Sequence, residues 1–223
     1  MYDASDFQIN KGAFMFKIIE PNYHCFYKSL IDRFMDLTRS CSSLGLSQKD
    51  QNAATFILND DRETGVYGGA LLLKKKLNDF PPELVKTLAD FISPQESMWR
   101  CIISLSVEKE SPLYDTDEIM HFYQIFYRKL YNRLVGFGKK EETGFLCVSL
   151  DSGEYLCMEG LIVWPYVFEI KPQDSSDGLF HGILPLIGSP YEDYQRSWQD
   201  FELPSHERKI VLGVEARSKR YKI

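Results

Sequence analysis

Three side chains that could transfer protons follow the two most apolar segments of this 223-residue chain. Glu108 comes directly after the apolar run 98–107, and Tyr155 and Glu159 come shortly after the run 145–150. Carboxylates and phenols are common general acids and bases in enzymes. The pattern therefore predicts proton transfer where these two segments end. Glu159 also fits an ordinary solvated position on a short helix, which is the simpler interpretation.

Nucleophilic and metal chemistry have little support in the sequence. Cys101 and Ser104 lie inside the central apolar run, but neither has a base near it in the chain. The four histidines are far apart and show no spacing typical of metal ligands: His24, His121, His181 and His206. We therefore expect no metal cofactor, and in particular no zinc or iron site.

The charge balance argues against nucleic acid as the main partner. The chain carries 32 acidic and 26 basic residues, a net charge of −6, whereas a surface that follows phosphates needs an excess of clustered Lys and Arg. The five cysteines include no Cys-x-x-Cys pair, which favours a reduced compartment. No segment is an apolar leader or a membrane span. We expect a soluble, cytoplasmic protein.

One local basic cluster departs from this acidic balance. Lys74, Lys75 and Lys76 are consecutive, and the simplest interpretation is a solvated strand end. Other basic residues of the chain could join them on one face: Arg128, Lys129, Arg133, Lys139 and Lys140. In that case the surface would suit docking of an acidic carrier protein or of a phosphorylated cofactor.

These residues must be positioned by a sheet, and the run 98–108 predicts its centre. Its continuous apolar, β-branched composition is typical of a strand buried on both faces. Upstream, 54–61 and 66–74 predict two strands joined by a turn that contains Gly65. Downstream, a helix from Asp115 to the glycines at 136 and 138 precedes a strand at 145–150, a short helix at 152–160, and strands at 164–170 and 179–186.

The remaining segments predict a single α/β domain with flanking extensions. A short strand at 14–19 precedes a helix capped by Asn22, with a core stripe that includes Tyr23 and Phe26. Residues 40–51 predict a loop. We divide the chain into a mobile segment 1–13, a domain 14–187 and a C-terminal extension 188–223, with a mixed, mostly antiparallel central sheet flanked by helices.

This succession of elements resembles the GNAT acyltransferase fold. Three segments are similar to the acyl-homoserine-lactone (autoinducer) synthase branch, whose products serve in quorum sensing. They are 66–73 with its paired glycines, Phe80 together with the helix 84–91, and the strand 99–107 that begins with Trp99. The resemblance covers roughly residues 54–187. It implies an N-acyltransferase that moves an acyl chain from a coenzyme A or acyl carrier protein thioester to an amine.

The resemblance also implies the location of the site. Glu159 lies near the place where many GNAT enzymes have a Tyr acid, and Tyr155 precedes it by one helical turn. Asp61 belongs to the acidic pair that falls near the aspartates of the synthases. An Asn-Asp-Asp sequence before a turn also has a purely conformational explanation. The donor cleft would lie where the strands 98–108 and 145–150 diverge. Its expected lining is Trp99, Ser104, Leu105, Val107, Cys147 and Ser149.

A second function follows from departures at the catalytic positions. The Glu and Arg of the synthases' central strand fall on Cys101 and Ser104 in one register, and on Arg100 and Ile103 in the other. The connection 108–115 has three acids and no glycine, so it lacks the usual pyrophosphate loop of GNAT enzymes. These departures are typical of a GNAT-shaped binding or regulatory protein that has lost its chemistry.

Overall fold

The computed structural model describes residues 15–39, 46–61, 65–88, 97–108, 111, 118–141, 143, 145–151, 155, 164, 166 and 168–186. The predicted segments 1–13 and 188–223 lie outside these residues. So does the predicted short helix at 152–160, except for Tyr155, which is helical.

Seven strands form one mixed sheet in the order β1-β2-β3-β4-β5-β7-β6. All neighbours are antiparallel except β4 and β5, which run parallel. The strands are β1 (Lys17–Ile19), β2 (Thr55–Asp61), β3 (Val66–Lys76), β4 (Ser97–Val107), β5 (Phe145–Leu150), β6 (Phe168–Ile170) and β7 (Phe180–Pro185). The predicted α/β class with a mixed, mostly antiparallel sheet is confirmed.

Helices cover both faces of this sheet. Helix α4 (Glu118–Lys140) packs on one face, which we call the α4 face. Helices α1 (Lys28–Arg39) and α3 (Pro82–Leu88) pack on the other face, over two separate apolar clusters. A shorter helix α2 (Gln48–Ala53) precedes β2. Alternate residues of each strand point to alternate faces, so every strand contributes to both cores.

Strand β4 is the centre of the sheet, as its composition predicts. It pairs with β3 over the whole length from Val66↔Val107 to Lys76↔Ser97. Its middle residues, 101–104, are buried. Because apolar side chains leave from both faces of this segment, the strand is stable only where helices cover it on both sides.

The first predicted helix differs from expectation. Residues Pro21–Tyr27 form a 3₁₀ helix that begins after Glu20 in extended conformation, so Asn22 is not the cap. Tyr23 is 53% and Phe26 78% exposed, and neither belongs to the core stripe. A 3₁₀ helix has three residues per turn, which rotates these side chains away from the α-helical face that the spacing predicted.

Two further boundaries were predicted incorrectly. Part of the predicted loop 40–51 is helical, because Ser47 accepts from the backbone N–H of Asp50 while the Asp50 side chain accepts from that of Ser47. Helix α4 does not end at Gly136 or Gly138 but continues to Lys140. Its packed apolar face outweighs the low helix propensity of glycine.

The three consecutive lysines do not share one direction. Lys75 forms an ion pair with Asp50, with 2.6 Å between Nζ and Oδ1. The ammonium of Lys74 lies 5.9 Å from the ring centre of Trp99, on the α4 face. Lys76 is exposed. Successive strand residues alternate between faces, so this segment divides its charge between the two sides of the sheet.

Candidate functional site

The candidate site begins where β4 and β5 stop pairing. The two strands are paired at four positions only, from Trp99↔Leu146 to Ile102↔Ser149. Strand β4 then continues to Val107 with β3 as its partner. On the β5 side, no strand of the described chain pairs with residues 103–107. Half of the backbone N–H and C=O groups of this segment point to that side, because strand groups alternate in direction.

The structure divides the predicted lining residues between the two faces of the sheet. Trp99, Leu105 and Val107 are partly buried against the core of the α4 face. Ser104, Cys147 and Ser149 are buried, and Cys147 belongs to a cluster of the opposite face. Leu105 and Val107 are thus placed to contact an apolar group at the opening. Trp99 pairs with Leu146 at the other end of the β4–β5 pairing, and the remaining three side chains lie on the opposite face of the sheet.

The predicted catalytic residues are not brought together in the described structure. The ring of Tyr155 stacks on Phe180, with centroids 4.6 Å apart, next to the end of β5. Asp61, in β2, pairs with Val66 through the backbone, and β3 and β4 lie between it and β5. Glu159 lies outside the described residues. Glu108, the first proton-transfer candidate, pairs with Arg33 of α1, whose guanidinium carbon is 4.1 Å from the ring centre of Tyr67.

Two polar atoms are buried in the core of the α4 face. Tyr166 Oη and Trp164 Nε1 have no hydrogen-bond partner among the described residues. The Tyr166 ring packs against Gly182, where an added Cβ would come within 2.5 Å of the ring. Burial raises the pKa of Tyr166 well above its usual value, so the phenol remains protonated and can donate a hydrogen bond.

Four polar residues form a hydrogen-bonded chain on the opposite face, which the sequence did not predict. Arg100 Nε donates to Ser149 Oγ at 3.2 Å, and Ser149 Oγ lies 3.0 Å from His181 Nδ1. His181 Nε2 lies 2.9 Å and 3.1 Å from the two carboxylate oxygens of Asp177. Ser149 and His181 are fully buried. We call these residues the polar chain.

The carboxylate of Asp177 determines the direction of the hydrogen bonds. Burial alone would raise its pKa, but hydrogen bonds from His181, Ser175 and the backbone of Leu179 lower the pKa to about 2. An ionised carboxylate only accepts, so His181 Nε2 donates. With a neutral imidazole, Nδ1 then accepts from Ser149, and Ser149 in turn accepts from Arg100. Every step has one donor and one acceptor.

This arrangement resembles a nucleophilic triad in composition only. Ser149 has no exposed surface, so a substrate carbonyl cannot reach its hydroxyl. Neither nearby thiol is an activated nucleophile, since burial raises the pKa of Cys101 strongly and that of Cys147 to about 12. A thiolate is the reactive form of cysteine. The polar chain is therefore suited to orienting Arg100, which is partly exposed.

Comparison with known protein families, with curated proteins and with solved structures finds no match. Among the described helices, none combines the length and the apolar composition needed to cross a bilayer.

Proposed function

We propose that this protein binds an acyl thioester in the opening between β4 and β5 and transfers the acyl group to an amine. The supporting observation is the short parallel pairing of these strands, which covers four residue pairs and ends at Ile102↔Ser149, while β4 continues to Val107 against β3. In GNAT proteins, the family that the sequence resembles, the same two strands part, and the pantetheine of the donor adds there as a further strand.

The side chains beside the opening support the same proposal. Leu105 and Val107 are partly buried against the α4 core, and Tyr155 lies close by. An acyl chain would remove apolar surface from water, at about 25 cal/mol per Å² buried. The buried phenol of Tyr166, over Gly182 of β7 on the same face, adds a hydrogen-bond donor to this side of the sheet. The acyl carrier protein or coenzyme A would supply the thioester.

One observation favours a second function, a binding or regulatory protein without catalysis. The positions at which the synthases have Glu and Arg carry side chains that are neutral and buried, or cationic. Glu108 is held by Arg33. Removal of a proton from an ammonium group needs a base near the acyl carbon, and such a base typically contributes about 10²-fold or more to the rate. In this case the acyl ligand binds and stays intact.

The first experiment tests thioester binding. Purified protein is screened by mass spectrometry for co-purified acyl species and then titrated with acyl-coenzyme A and with acyl carrier protein. We expect binding by wild type, loss of binding in Leu105→Glu, and retention in the matched control Val85→Glu, a partly buried apolar residue of α3 on the opposite face. The thioester function is wrong if the wild type binds neither donor.

The second experiment separates the two functions. The loaded protein is incubated with S-adenosylmethionine and with simple primary amines, and the products are followed by mass spectrometry. Formation of an N-acyl product that requires Leu105 supports the transferase. An intact thioester after many hours supports the non-catalytic alternative, and the comparison requires no assumption about which residue is the base.

A further inference from the structure

We propose that Arg100 is the anchor for the carboxylate of a small organic molecule, and that Ser149, His181 and Asp177 hold its guanidinium in the binding orientation. The site lies on the face of the sheet opposite α4. It does not require acyl transfer, although a carboxylate-bearing amine acceptor would fit both proposals.

The direction of the Arg100 side chain is the first observation. Its backbone is level with Cys147 on β5, but its Nε donates to Ser149, which is level with Ile102, two residues further along. The side chain therefore leans along the strand toward the opening between β4 and β5. It lies between the cluster under α1, which contains Ile102, and the cluster under α3, which contains Cys147.

The second observation concerns the hydrogen bonds and the burial of the guanidinium. Only Nε has a partner in the described part of the chain, which leaves the two Nη groups to a ligand or to water. The side chain is partly buried. A cation in this position loses part of its hydration, and no carboxylate of the described residues contacts it directly. Asp177 is separated from it by two intervening hydrogen-bonded groups.

The geometry of Arg100 favours a carboxylate over a phosphate. Two other basic side chains of this face are engaged with carboxylates, Arg33 with Glu108 and Lys75 with Asp50. The two Nη groups of Arg100 form a flat pair of donors that matches the two oxygens of a carboxylate. A phosphate carries about −1.5 to −2 charge at neutral pH, which one cation does not balance.

The polar chain explains why the anchor is fixed in advance. Each of its hydrogen bonds defines the orientation of the next group, from the ionised Asp177 to the Nε of Arg100. Ser149 and His181 cannot exchange these bonds for water, because both are fully buried. They are positioning residues, and a pre-organised guanidinium binds its ligand with a smaller entropic cost.

The test follows the Nε–H resonance of Arg100 by NMR in the full chain, assigned by its loss in Arg100→Lys. The probes are acetate, alanine, alaninamide and inorganic phosphate, each added to saturation or to the highest concentration that preserves the fold. We expect acetate and alanine to shift the resonance, alaninamide to leave it unchanged, and phosphate to bind at least 10-fold more weakly than acetate. Absence of any shift with the carboxylates, or tighter binding of phosphate, would overturn the assignment.

Variants separate anchoring from folding. Variants of Arg100 lack this resonance, so their carboxylate binding is measured by isothermal titration calorimetry alongside the wild type. Arg100→Gln should lose carboxylate binding, and Arg100→Lys should bind about 10-fold more weakly because an ammonium cannot form the bidentate pair. Ser149→Ala should broaden the Nε–H resonance and weaken binding while circular dichroism stays unchanged. The control is Arg133→Gln, an exposed arginine of α4 on the other face. If Ser149→Ala binds acetate like the wild type with an unchanged resonance, the positioning role is wrong.

The two proposals fail independently. Acyl thioester binding is measured in Arg100→Gln, where it should persist because the donor opening is formed by β4 residues beyond Ile102. Carboxylate binding without thioester binding would contradict the proposed function and retain this site. Thioester binding without carboxylate binding would contradict only the proposed carboxylate site at Arg100.

Discussion

Asp177 gives the polar chain a dependence on pH. Its pKa in the folded protein, about 2, lies below the ordinary value of 3.8, so its ionised form stabilises the fold above pH 3.8 and that contribution is lost as the pH falls toward 2. Asp177→Asn should lower the free energy of unfolding at pH 7 by about 1–2 kcal/mol. Urea unfolding at pH 7, 4 and 3 should show the difference from wild type shrinking with pH.

The matched control removes a neighbouring charge. Asp174 is exposed in the same turn region, and Asp174→Asn should change stability much less at neutral pH. A constant difference between wild type and Asp177→Asn across this pH range would contradict the role of the charged carboxylate.

The cysteines differ in reactivity according to burial. Cys25 is exposed, whereas Cys101 and Cys147 are buried with raised pKa values. Iodoacetamide should modify Cys25 in the native protein and reach Cys101 and Cys147 only after unfolding, because the thiolate is the nucleophile. Peptide mapping by mass spectrometry measures this. Early modification of Cys147 would show that the region under α3 opens to solvent.

At the residue scale, the sequence predicts which side chains are buried better than it predicts which side chains form hydrogen bonds with each other. Cys101 and Cys147 lie inside apolar runs of the sequence, and both are buried in the structure. His181 was treated as an isolated histidine, yet it completes the polar chain, because its contact with Ser149 depends on the register of β5 on β7. Only the four-residue spacing between Asp177 and His181 was visible in the sequence, and that spacing is common for local reasons.

At the element scale, two glycines of α4 have opposite consequences. A Cβ added at Gly136 meets no atom within 4 Å, whereas at Gly138 it lies 2.4 Å from Leu186 Cδ1. Gly136→Ala should therefore stabilise the protein by about 0.5–1 kcal/mol through helix propensity, and Gly138→Ala should destabilise it by about 1–3 kcal/mol through overpacking. Thermal and urea unfolding compare the two variants directly. Equal effects would mean that Leu186 is not packed against the helix.

Strand β4 should show two levels of hydrogen-exchange protection. The amides of 99–102 lie between two paired strands, whereas residues 103–107 extend past the last pair of β4 and β5, Ile102↔Ser149. We expect the second group to exchange faster, and to become protected when an acyl thioester binds. Amide-resolved exchange by NMR, with and without the ligand, measures this. Uniform slow exchange along β4 in the free protein would contradict the opening.

The long apolar runs predicted the strands, whereas the shorter elements depend on helix capping and on spacing over only a few residues. Strands β2 to β5 lie close to their predicted positions, because each combines β-branched residues with a flanking turn signal. Helix α2 was missed because six residues contain too little periodicity, and only the Ser47 to Asp50 capping box indicated it. The 3₁₀ segment was missed because its spacing resembles that of an α-helix over so short a length.

At the scale of the whole molecule, the sequence predicts the class of fold and the centre of its sheet. It does not predict that β7 lies between β5 and β6, since both strands of the final pair are apolar and either could lie next to β5. In the structure Gly182 of β7 accommodates the ring of Tyr166, a requirement that only the three-dimensional packing reveals.

The place of β7 also has a consequence for synthesis on the ribosome. Strand β5 emerges well before its antiparallel neighbour, and its outer edge can be paired by that neighbour only after residues 180–185 have left the exit tunnel. During this interval a nascent chain presents an apolar strand edge, which is prone to association with other chains. Slow translation between residues 151 and 180 would prolong this exposure, so holding by a chaperone would matter most in that interval.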